Sequence, residues 1–131
     1  MKSLFLLFAL LFAVALSSSS PVLSKASNAG NKQKAVMQFN SPVMLQGILL
    51  KGEYLFVHDD AAMIRGEACT FVYKGDAEKA DNLVTSFHCT PVQRVKVYSF
   101  TVRTRQASPG VDEVSEFQFR GETEAHGVPA K

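Results

Sequence analysis

Tryptophan is absent, and cysteine occurs only twice, at Cys69 and Cys89. Carbohydrate platforms favour Trp and Tyr, so ten Phe against three Tyr and no Trp point to aromatics that fill a core. The chain has no Cys-x-x-Cys, no His-x-His and no His-Glu-x-x-His, the spacings that mark common metal sites. It also lacks a Gly-x-Ser-x-Gly elbow, a phosphate loop and a dinucleotide fingerprint. Ser86, two residues from His88, and Ser99 therefore have no visible base or oxyanion hole, and no catalytic residue is assigned. There is no internal repeat, no long charge run and no 12-residue helical pattern.

No apolar run reaches the roughly 20 residues that a membrane helix requires. The longest, residues 4–16 (LFLLFALLFAVAL), follows Lys2 and precedes four serines and Pro21. That order is the signature of an export leader, and Ser24-Lys25-Ala26 fits a small-x-small cleavage site. Cleavage is expected after Ala26, with Ala15 as the second choice and an uncleaved N-terminal anchor as the alternative. The reading divides the chain into a signal peptide (1–26), a linker with a short first strand (27–39), a β-domain (40–121) and a polar C-terminal tail (122–131). The formal charge of +2 belongs to the leader, because Lys2 and Lys25 leave with it. The 12 basic and 12 acidic residues that remain cancel, which removes any bulk argument for nucleic acid. The expected location is periplasmic or extracellular, with no integral membrane segment after cleavage.

Residues 43–50 and 53–58 are apolar runs without helical caps and read as buried strands, with Lys51-Gly52 as their turn and Gly47 as a bulge. Asp59 or Asp60 is placed to cap a short turn ended by Gly66. Residues 69–73 and 83–89 form a hairpin in which one register sets Tyr73 against Thr85, Phe71 against Phe87 and Cys69 against Cys89. Thr90-Pro91 marks a bend or a change of sheet. A long strand over 92–105, bulged near Val97-Tyr98, pairs Phe100 with Phe117, Tyr98 with Phe119 and Arg105 with Asp112. Arg94, Lys96, Arg103 and Arg105 thereby lie beside acidic neighbours and need no anionic ligand. Together these features predict an all-β fold, a small antiparallel β-sandwich or barrel of about six or seven strands.

Two cysteines in an exported chain are read first as a disulfide, Cys69–Cys89, because the compartment beyond the membrane is oxidising. A thiolate metal site using both cysteines and a histidine is the competing reading. A second polar cluster, His58-Asp59-Asp60 with His88 or His126, has ligand types that suit zinc or copper. Strand alternation turns His88 away from Cys89, and no metal ligand is assigned among His58, Asp59, Asp60 and His88. A blue-copper site is set aside, since Cys89 lies mid-chain and no histidine follows it before His126. Edge-strand pairing, or a stripe of Tyr54, Phe56, Tyr73 and Tyr98, would suit a peptide or polysaccharide partner.

Leu49-Leu50-Lys51-Gly52-Glu53-Tyr54, Met63-Ile64-Arg65-Gly66-Glu67-Ala68-Cys69, Ser86-Phe87-His88-Cys89-Thr90-Pro91 and Glu116-Phe117-Gln118-Phe119 carry a resemblance over most of residues 40–128. The sequence resembles a group of small exported bacterial proteins, abundant in acidobacteria, that share a Leu-Pro-Ala-Gly-x-Tyr-like hairpin. Leu50-Lys51 stands here where Pro-Ala is common. The resemblance implies an all-β domain outside the cytoplasm and transfers no activity. The expected function is an exported structural or binding module without a cofactor, stapled by one disulfide and facing an envelope protein or polysaccharide. A divalent-metal protein built on His58-Asp59-Asp60 is the alternative, and a hydrolase is the third.

Overall fold

The computed structural model describes residues 31–131. The expected leader and residues 27–30 of the linker lie outside them. The all-β expectation holds. Among the described residues, eight strands, β1 (Lys32–Leu45), β2 (Ile48–Asp59), β3 (Thr70–Lys74), β4 (Leu83–Phe87), β5 (Thr90–Gln93), β6 (Thr101–Ser108), β7 (Val111–Gln118) and β8 (Glu124–Gly127), form one mixed sheet. Its order is β4-β3-β2-β1-β7-β8-β5 with β6 paired to β7, and it curls into a half-barrel. None of the described helices is long and apolar enough to cross a membrane.

β1 (Lys32–Leu45) and β2 (Ile48–Asp59) make the long hairpin that carries the fold. Their turn is Gln46-Gly47, not Lys51-Gly52. Both central residues have positive φ (51° and 77°), as a two-residue turn matching strand twist demands. Gly52, also at positive φ (95°), lies within β2 opposite Phe39. There the register slips: Phe39 faces Gly52 and Val43 faces Leu50, so Asn40-Ser41-Pro42 bulge out against Lys51 alone. A bulge tolerates Pro42, which has no N–H to give to the ladder. The two glycines thus exchange the roles the sequence suggested, and β1 runs through what looked like a linker and a turn.

Alternation along β2 sorts its side chains. Tyr54 and Phe56 enter the main core, while Leu55 and Val57 pack with Tyr73 in a second cluster on the other face. Phe56 is fully buried, its ring 5.4 Å from both Phe100 and Phe117 and 6.4 Å from Phe39, in tilted contacts that suit aromatic quadrupoles. Tyr54, Phe56 and Tyr73 are therefore core residues; of the suggested stripe, only Tyr98 is exposed.

After β2, Asp59 caps the five-residue helix α1 (Asp60–Ile64), accepting from the backbone N–H groups of Ala61 and Ala62. β3 (Thr70–Lys74) and β4 (Leu83–Phe87) pair one residue out of the expected register, with Thr70 opposite Phe87 and Phe71 opposite Ser86. The one-residue slip sends Thr70 and Val72 inward and Phe71 to the outer cluster. The chain then leaves β4 at one edge of the sheet and, two residues later, enters β5 (Thr90–Gln93) at the other. This is the change of place that Thr90-Pro91 marked.

The long strand expected over 92–105 is interrupted. Residues 94–100 leave the ladder, tied back by Arg94 N–H to Thr123 O and Gly121 N–H to Val97 O (2.8 Å each). Val95 and Tyr98 are exposed, and Phe100 returns to the core. β6 (Thr101–Ser108) and β7 (Val111–Gln118) then pair Val102 with Phe117, Arg103 with Glu116 and Arg105 with Glu113. The Phe100–Phe117 pairing is replaced by a side-on approach of Phe100 to Phe119 (5.1 Å) and Phe117 (6.2 Å). Basic residues do meet acidic partners: Arg94 donates to both Glu116 oxygens, and the pair holds the Glu116 carboxyl below its ordinary range. Finally β8 (Glu124–Gly127), inside the expected tail, inserts between β7 and β5.

Candidate metal centre

Four chemically active side chains meet inside the half-barrel at the end where β2 finishes and β3 begins. His58 is the next inward residue of β2 after Tyr54 and Phe56. Cys69 immediately precedes β3, and its N–H donates to Phe87 O (3.0 Å). Cys89 occupies the two-residue passage between β4 and β5, and its N–H donates to Cys69 Sγ (3.2 Å). His126 comes from β8, where pairing with Phe117 and Pro91 fixes the backbone. His58, Cys69 and Cys89 are fully buried and His126 is 2% exposed.

One ligand atom from each of His58, Cys69 and Cys89 lies within 4.8 Å of the others. The His126 ring sits 4.0 Å from the His58 ring, and its Nδ1 lies 3.6 Å from Cys89 Sγ. Phe117 stacks on His126 at 5.2 Å and Phe119 meets it edge-on at 5.8 Å, so an apolar wall backs the histidine pair.

The two sulfurs are 2.9 Å apart and both cysteines are free thiols. The expected disulfide is thus not at bonding distance, which is about 2.05 Å. The shifted β3–β4 register explains the offset: Cys69 lies level with the strand position after Phe87, and Cys89 reaches it only by turning in from the passage.

The local electrostatics are those of a dry site. Burial and the hydrogen bond with Cys69 push the Cys89 thiol up to about 12. Burial, then the neighbouring His58, lowers His126 to about 4. Burial lowers His58 as well, against the opposing pull of Asp60 and Asp59. Both imidazoles are accordingly neutral at pH 7, the form in which they ligate metals. Among the described residues, neither His58 nitrogen has a hydrogen-bond partner, and neither does Thr70 Oγ1 next to Cys69. Asp60 Oδ1 is 3.1 Å from His58 Nδ1 but out of line with the N–H direction, so the contact is electrostatic rather than a hydrogen bond.

The suggested His58-Asp59-Asp60 cluster is therefore split by its structure. His58 enters the centre, Asp60 stands behind it, and Asp59 is consumed by the α1 cap. His88 is exposed, but it lies in the passage after β4 and not in a strand, with Nδ1 2.8 Å from Glu67 O and 3.9 Å from Cys69 Sγ. His126, placed by the sequence in a tail, is the member whose position no local pattern revealed.

Comparison with known proteins finds no matching family, no matching curated protein and no matching solved structure.

Proposed function

We propose that the chain is an exported, non-catalytic β-domain whose half-barrel is closed by a buried zinc or copper centre. Cys69, Cys89 and His58 are its ligands, and His126 stands as the fourth. The observation that carries this reading is His58: a fully buried imidazole with two nitrogens unpartnered among the described residues, beside two buried sulfurs. An unsatisfied buried polar group costs about 1–3 kcal/mol, and a metal bond removes that penalty. Two thiols and two neutral imidazoles form the Cys₂His₂ donor set that suits a tetrahedral, closed, structural site. Asp60, whose carboxylate oxygen lies 3.1 Å from His58 Nδ1, is near enough to take up the orienting hydrogen bond that a ligating imidazole usually donates. A bound metal would supply cross-linking between strands, and the protein residues supply a dry, preshaped cage.

Reduced, metal-free protein titrated with Co(II) or Zn(II) is expected to bind one equivalent with release of protons from the thiols, since a metal must displace them. Cys69→Ser and His58→Ala should each abolish stoichiometric binding. Full binding retained in both variants, or none in the folded wild type, overturns the reading.

The sulfur contact of 2.9 Å supports a second reading, in which an oxidising compartment joins Cys69 and Cys89 and the domain is a disulfide-stapled structural or binding module. Protein isolated from such a compartment would then have no titratable thiol and no metal. The resemblance to small exported bacterial β-proteins accords with either state.

A further inference from the structure

A cavity of ≈ 250 Å³ opens beside the centre, lined by Asn31, Gln33, Asp60, Glu122, Glu124 and His126. Two of these residues already belong to the site: His126 stacks against the His58 ring, and Asp60 places a carboxylate oxygen 3.1 Å from His58 Nδ1. Three linings are carboxylates and none is Lys or Arg. Gln33 Nε2 donates to Glu122 (3.0 Å), fixing one carboxylate from β1, while Glu124 is set by its pairing with Gln93. The acidic wall alone would be unremarkable surface. What marks it is the fully buried His58 behind Asp60, with neither nitrogen hydrogen-bonded among the described residues.

We infer that this cavity is the entry port of the metal centre, a vestibule that concentrates divalent cations and passes them from Glu122 and Glu124 to Asp60 and on to His58 and His126. The inference rests on the metal-centre reading above and adds the route to it. A buried ligand set needs a path from solvent, and a cleft lined by one sign of charge raises the local concentration of its counter-ion and the on-rate by 10–10³. On the His88 side of the centre, the exposed imidazole already has its Nδ1 engaged with Glu67 O.

The test is stopped-flow uptake of Co(II) by the reduced, metal-free full chain, comparing wild type with the double variant Glu122→Gln/Glu124→Gln. Both changes are isosteric and leave every ligand in place. The expected result is an on-rate lower by about tenfold at low salt, a flattened dependence on ionic strength, and an unchanged endpoint of one equivalent. Asp76→Asn/Asp81→Asn, exposed positions at the far end of the β3–β4 hairpin, serve as the charge-matched control and should keep the wild-type rate. Equal on-rates and salt slopes in wild type and the vestibule variant overturn the port, as does equal slowing in the control. Slowing by His88→Ala alone would move the port to the His88 side and overturn it too. Wild-type protein that takes up no Co(II) overturns the centre itself, a result distinct from binding at an unaltered rate.

Discussion

Acid should destabilise the metal-free, reduced protein well before its carboxylates titrate, and His126 sets the amount. Its folded value is about 4 against an ordinary 6.5, with burial as the main cause and His58 second. The sign follows from linkage: between these values the unfolded chain binds a proton that the folded chain refuses, so stability falls as pH falls. The contribution is whole above pH 6.5 and fully lost near pH 4. At about 1.36 kcal/mol per unit, the full loss is about 3 kcal/mol, of which roughly 2 kcal/mol is gone by pH 5. His126 is 2% exposed, so solvent screening does not reduce the figure. His58 is lowered too and acts in the same sense. Glu116, lowered by Arg94, loses its contribution only below the ordinary carboxylate range, while Glu124, raised by burial and by Asp60 and Glu122, works in the opposite direction. Urea unfolding at pH 7 and pH 5 reads the effect: with a slope of about 1 kcal/mol/M, His126 by itself should lower the wild-type midpoint by about 2 M. His126→Leu should lose most of that drop, whatever its midpoint at pH 7. Parallel shifts in the two proteins would refute the argument.

Asp60→Asn should weaken Zn(II) affinity by about 10–100-fold in a competition titration without changing stoichiometry, the usual effect of altering a partner behind a ligating imidazole. Iodoacetamide should label Cys89 in the folded metal-free protein at pH 8 at least about a thousandfold more slowly than in urea, because a thiol at about 12 is scarcely ionised there. Phe56→Ala should cost about 3–5 kcal/mol by chemical denaturation, since three aromatic rings line the space its side chain fills. Gly47→Ala should cost about 1–2 kcal/mol, all of it backbone strain at φ 77°, as the added Cβ would meet only Lys131 Cδ at 3.8 Å.

The fold class was legible because the apolar runs are short, strand-like and uncapped. The pairings were less so. Lys51-Gly52 and Gln46-Gly47 are equivalent turn signals on paper, and only a three-residue bulge at Asn40-Ser41-Pro42 makes the second one work. The β3–β4 register hinged on a bulge between Val72 and Tyr73 that no side chain announces. The centre was half visible. Cys69 and Cys89 declare themselves, and His58 ends an apolar strand run. Their separations of 11 and 20 residues, with a further 37 to His126, match no compact motif, because these four side chains are gathered by sheet curvature and not by a loop. His126 lies in a four-residue strand among glycines, too short for any periodicity to show.

The passage from Phe87 to Thr90 has a mechanical consequence. It spans three Cα steps, so the two free edges of the sheet cannot stand more than about 11 Å apart at that level. The opposite ends of β4 and β5 carry no such tether. Any breathing of the half-barrel is therefore a fan-like opening pivoted at Cys89, widest far from the thiols and narrowest at them. A cross-link at the pivot, whether metal or sulfur, locks the stillest point of that motion.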